Sequence, residues 1–152
     1  MKKFILCLMI LFMGSSSFAV TATDVRQFFS SFVDAANSYN PDYFDYYMPN
    51  ATISRVVEKK DGSTKIVYVP MTTYRKHSKL NSRIGKLRHY KNYYSEIKIV
   101  QNGEDFKLSA MRRPSTSDYK LPVYFVIGPN SQGHLKIKEE SMHTKVQAFL
   151  RH

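Results

Sequence analysis

Residues 40–53, Asn40-Pro41-Asp42-Tyr43-Phe44-Asp45-Tyr46-Tyr47-Met48-Pro49-Asn50-Ala51-Thr52-Ile53, mark the point where the chain changes from a helical period to a period of two. Before them, Val25, Phe28, Phe29, Phe32, Val33, Ala36 and Tyr39 recur at steps of three and four, which gathers them on one face of a helix. Thr23 or Asp24 is placed to cap that helix. Asn40-Pro41 ends it, and Pro41, lacking an amide hydrogen, suits the first turn of a new one. A short tyrosine-rich helix is expected from Asp42 to about Met48, closed by Pro49-Asn50.

Downstream, residues 52–58 and 64–69 are β-rich runs around Asp61-Gly62, a hairpin turn signal. A helix is expected over 72–87. Met71, Tyr74, His77, Leu80, Ile84 and Leu87 form the stripe expected to face the sheet, and Arg75, Lys79, Arg83 and Lys86 form the other face. Strands follow at 93–101, 106–113, 121–127 and 134–142, with turns at Asn102-Gly103 and Pro129-Asn130-Ser131-Gln132-Gly133. This order predicts an α+β fold: a curved antiparallel sheet of about six strands with about three helices packed on its concave face.

Together with the first helix and residues 40–53, Ser95-Glu96-Ile97-Lys98-Ile99-Val100, Tyr124-Phe125-Val126-Ile127 and Gly133-His134-Leu135-Lys136-Ile137 make the chain resemble the NTF2-like superfamily, the cystatin-like or ketosteroid-isomerase-like cone. The resemblance implies a cone that encloses a cavity. It leaves the activity open, since such domains include isomerases, dehydratases, hydrolases, ligand binders and secretion components, and a fold does not dictate a function.

At the N-terminus, Lys2-Lys3, the apolar run Phe4 to Met13 and the small residues Gly14 to Ser17 stand in the order of a cleavable signal peptide over 1–19, with cleavage expected after Ala19. Residues 20–152 then form a single domain, exported to the periplasm or secreted. The lone Cys7 leaves with the leader, so the remaining chain has no disulfide or thiol chemistry. Removing Lys2 and Lys3 changes 23 basic against 12 acidic residues to 21 against 12, a net charge of +9. That excess favours an anionic lipid or an acidic protein as partner.

Nucleic acid is disfavoured by the exported location and by the lack of a recognised binding motif. The histidines show no metal-ligand spacing, so neither a metal nor another cofactor is expected. Tyr43, Tyr47 and Tyr74 are candidate walls of a small-molecule pocket, because each offers apolar area and a polar tip. His77, which interrupts an apolar stripe, is a further candidate pocket residue, able to act as a base or hold a ligand. Arg112 shares the parity of Phe106, Leu108 and Ala110, and Glu139 that of Leu135 and Ile137, which aims both inward as candidate pocket residues. The run from Arg75 to Lys91 carries no acid, so Arg75, Lys79, Arg83 and Lys86 are the candidate anion-binding surface. A non-enzymatic module binding an anionic or amphipathic ligand or a protein partner is the expectation. A small enzyme with its site in the cone mouth, or an accessory or inhibitor protein acting through its surface, are the alternatives, and a homodimer through the sheet is compatible with each.

Overall fold

Helix α1 (Ala22–Asn37) starts one turn earlier than its apolar stripe suggests, because Thr21 is the cap. The Thr21 hydroxyl accepts from the Asp24 N–H at 3.2 Å, and the Asp24 carboxylate accepts from the Thr21 N–H at 2.8 Å, a reciprocal capping box. The computed structural model describes residues 19–151, apart from the side chains of Ser78, Lys79 and Asn81. The leader read over 1–19 therefore lies outside the described residues except for Ala19. α1 buries Val25, Phe29 and Phe32 as its stripe predicts.

The expected second helix is only a 3₁₀ stretch, Pro41–Tyr46, opened by the Asn40 side chain accepting from the Asp42 N–H. Tyr47 to Asn50 belong instead to strand β1 (Tyr47–Glu58). The ladder of β1 shifts register between Tyr47 and Thr52, and Pro49, which has no hydrogen to donate, falls in that irregular stretch. There follow β2 (Thr64–Val69), α2 (Met71–Leu87), β3 (Asn92–Asn102), β4 (Asp105–Pro114), β5 (Leu121–Pro129), β6 (Leu135–Thr144) and a closing 3₁₀ turn, Gln147–Arg151.

The six strands form one sheet in the order β2-β1-β6-β5-β4-β3. Every neighbouring pair is antiparallel except β1 and β6, which run parallel, so the sheet is mixed rather than wholly antiparallel. The exception follows from topology: the meander β3 to β6 returns beside the first strand after a long crossover through α2, the connection a parallel pair requires.

Two irregularities bend this sheet. On β3 the register shifts between Ser95 and Lys98, with Glu96 at φ 57. On β6 Lys138 is the extra residue, since Ile127 pairs with Ile137 but Val126 pairs with Glu139. Bulges of this kind kink a strand and reverse its facing pattern. The concave side carries the core, in which Phe29 and Phe32 of α1 meet Phe125 of β5 at ring separations of 5.1 and 5.8 Å.

α2 departs from expectation. Leu80, Ile84 and Leu87 are 58, 39 and 82% exposed, and it is Ser82 and Gly85 that turn toward the body of the domain. A Cβ on Gly85 would sit 3.5 Å from the Tyr39 ring. The space beneath this half of the helix is already occupied by tyrosine rings, which leaves room for small residues only.

Candidate functional site

The concave side holds a cavity of about 150 Å³ between α1, the 3₁₀ stretch, α2 and the start of β3. Tyr39, Tyr43, Tyr47, Tyr74, Tyr90 and Tyr94 contribute to its wall, and Glu140 is also among its lining residues. Three of the six pocket residues expected from sequence, Tyr43, Tyr47 and Tyr74, are thus brought together.

Glu140, not Glu139, is the inward acid. The parity that aims Glu139 inward holds as far as Ile137 and is reversed by the extra residue Lys138. Glu139 lies on the other face, where it accepts from the Tyr124 hydroxyl at 2.8 Å. Glu140 is 1% exposed, and it pairs with Arg55, 5% exposed, whose Nη2 lies 2.8 Å from Glu140 Oε1. Arg55 was missed, although it shares the β1 parity of the buried Ile53 and Val57. A cation on a strand face that is otherwise apolar signals a buried counter-ion.

The remaining capacity of the pair is taken up locally. Arg55 Nη1 donates to the Ser54 carbonyl at 2.8 Å, and its guanidinium carbon lies 5.3 Å from the centre of the Tyr74 ring. The Tyr47 hydroxyl donates to Glu140 Oε2, and that of Tyr74 stands 3.5 Å from both carboxylate oxygens. Burial would pull the Arg55 guanidinium down, but the Glu140 charge beside it prevails and holds it above its ordinary value. Burial first, and the Glu140 carboxylate second, push the Tyr47 and Tyr74 hydroxyls well above their ordinary range. Tyr94 is raised by the same two causes. These three tyrosines are therefore hydrogen-bond donors that keep their protons at neutral pH.

The opposite end of the cavity is tied by amides. Asn37 of α1 donates to the Asn92 carbonyl and accepts from the Asn92 N–H, both at 2.9 Å, fixing the end of the helix to the start of β3. Arg112 does face inward, as its parity predicts, but it is packed behind this wall, donating to Asn92 Oδ1 at 2.9 Å and to the Tyr90 hydroxyl at 3.3 Å. Tyr39 closes α1 at φ 62, a left-handed conformation rare for a bulky residue, and its hydroxyl is buried with no hydrogen-bond partner. The conformation ends the helix: the Tyr39 N–H donates to the Ala36 carbonyl and the Asn40 N–H to the Ala35 carbonyl.

The other expected residues lie elsewhere. His77 is exposed, and it lines a separate cleft with Val67, Val69 and Pro70 around β2 and Val146 and Phe149 near the C-terminus. It faces this cleft at the β2 edge of the sheet and not the tyrosine cavity. Arg75 lies 5.9 Å over the Phe44 ring, Arg83 and Lys86 are exposed, and the Lys79 side chain is outside the described residues. Among the described residues, no three of His, Cys, Asp or Glu come together as a metal site.

No protein-family model matches the sequence, and no curated protein matches it. Solved structures do. An NTF2-like protein of unknown function from Pseudomonas putida superposes with a TM-score of 0.61 at 8% identity, over 80% of this chain and 84% of that one. An NTF2-like protein with a cystatin-like fold from Novosphingobium aromaticivorans gives 0.60 at 7% identity, over 84% and 87%. A candidate ketosteroid isomerase from Shewanella frigidimarina gives 0.57 at 15%, over 82% and 97%. The chain has the NTF2-like cone fold. At these identities the likeness establishes the fold alone.

Proposed function

We propose that this protein is an exported, non-enzymatic binding module whose cavity holds a small amphipathic ligand, a single ring bearing a hydroxyl. The observation that carries this reading is the engagement of Glu140. Its two oxygens already accept from Arg55 and Tyr47, so the cavity offers no unengaged carboxylate to take a proton from a substrate. What it offers instead is an aromatic wall that carries tyrosine hydroxyls.

Size narrows the ligand. A cavity of about 150 Å³ is below the roughly 300 Å³ at which drug-sized pockets begin, and matches the volume that accepts a benzene ring. The carboxylate among the lining residues disfavours an anionic ligand in this cavity.

Phenol and benzene, titrated into the protein and followed by NMR shifts of the tyrosine rings, test the reading. Phenol is expected to saturate and to bind more tightly than benzene. Shifts that fail to saturate with either probe overturn it. If the protein instead exchanges the α-hydrogens of cyclohexenone in deuterated water, and Glu140→Gln stops the exchange, the isomerase-type enzyme becomes the better account. Export is checked on the same sample, whose first residue should be Val20.

A further inference from the structure

We propose that the outward face of α2 is a docking surface for an anionic lipid bilayer. It stands apart from the cavity and does not depend on what the cavity binds.

Two observations meet on this helix. The first is its orientation: at about 100° per residue, Leu80, Ile84 and Leu87 fall within about 60° of one another, on the side opposite Ser82 and Gly85. From Leu80 on, the helix thus shows its large apolar residues to solvent and its small ones to the domain, the reverse of an ordinary surface helix. The second is charge. From Gly62 to Ser95 the chain contains no Asp or Glu. Lys76 and Arg83 flank the apolar ridge on one side, with Lys86 beyond Arg83, and Arg88 flanks it on the other, all exposed. Arg75 is not included, being laid over Phe44.

An apolar ridge bordered by cations, with no acid over more than thirty residues of sequence, complements one surface chemistry in particular. Lysine and arginine meet lipid phosphates while leucine and isoleucine side chains enter the boundary between headgroups and acyl chains. An acidic protein would satisfy the charges but gives no reason for three exposed apolar side chains in a row. A second copy of this chain would cover the apolar ridge but bring its own cations against these. The ridge also runs toward the apolar cleft that His77 shares with β2, which extends the surface available for insertion. Among the described residues no helix is long and apolar enough to span a bilayer, so the association proposed is peripheral.

The test is co-sedimentation with vesicles of phosphatidylglycerol and phosphatidylcholine, using protein recovered from its host with its first residue determined, so that the leader cannot supply the binding. Wild type is expected to sediment with phosphatidylglycerol vesicles at low salt and not with pure phosphatidylcholine. The Arg83→Gln, Lys86→Gln, Arg88→Gln variant is expected to weaken partitioning about fivefold per cation, about a hundredfold in all. Leu80→Ser with Leu87→Ser should remove the part of binding that survives physiological salt. Thermal melts and far-ultraviolet circular dichroism serve as controls for folding, since every substituted position is exposed. The proposal is overturned if wild type stays in the supernatant with pure phosphatidylglycerol at low salt, or if the triple variant sediments like wild type. It is overturned as well if sedimentation velocity shows a dimer that the serine variant dissolves and lipid does not, which would assign the ridge to a second copy.

Discussion

Arg55 and Glu140 were taken out of water together, and the cost of that step, several kcal/mol per ion, is met only while each has the other. Arg55→Met leaves a carboxylate in the core with no cation beside it, and should cost about 3–5 kcal/mol in urea denaturation. Adding Glu140→Leu to the same protein should restore most of the loss, because two well-packed apolar side chains replace a buried pair at little cost. A single variant within about 1 kcal/mol of wild type would mean that the pair is hydrated in solution. This pair was half legible in the sequence. Arg55 stands in plain view between Ile53 and Val57, whereas Glu140 is hidden by the bulge at Lys138. Alternation carries no mark of where a strand gains a residue, so a parity argument fails at the first bulge it crosses.

Among the elements, α1 was legible and α2 was only located. Both have a helical stripe, but α1 packs its phenylalanines into open core, while α2 reaches the domain where Tyr39 and Tyr90 already fill the space. Which face of an amphipathic helix turns inward depends on what is there to receive it, and that information sits in other parts of the chain. The packing makes Gly85 a sensitive reporter. An added Cβ meets the Tyr39 ring at 3.5 and 3.6 Å, ordinary contact, and a glycine inside a helix costs about 1 kcal/mol relative to alanine. Gly85→Ala should therefore stabilise the protein by about 0.5–1 kcal/mol. Gly85→Leu should do the opposite and weaken phenol binding, since its longer side chain displaces the Tyr39 ring. If alanine destabilises instead, the helix lies closer to Tyr39 than described.

At the scale of the whole molecule, the strand order is where sequence reading stopped. Apart from the early start of β1, the strands were placed within two residues, but the parallel union of β1 with β6 depends on a meeting between the first and last strands that no local pattern announces. That union also brings Tyr47, at the head of β1, to Glu140 on β6, so the pairing of the first strand with the last supplies the carboxylate that helps hold Tyr47 protonated. The consequence is an alkaline limit on stability. In the unfolded chain, Tyr47, Tyr74 and Tyr94 lose their protons near the ordinary value of 10.0, while in the folded protein burial and the Glu140 charge hold them protonated beyond it. Above pH 10 the folded state then binds more protons than the unfolded state, so stability is fully present below that pH and falls as pH rises through it. Melts from pH 7 to 11 should show a transition temperature insensitive to these tyrosines up to about pH 9, then a decline. Absorbance at 295 nm supplies the site-resolved half of the test. Tyr47, Tyr74 and Tyr94 should ionise only as circular dichroism is lost. If Tyr47, Tyr74 and Tyr94 ionise near pH 10 with the far-ultraviolet spectrum unchanged, the carboxylate-linked cluster does not persist in solution.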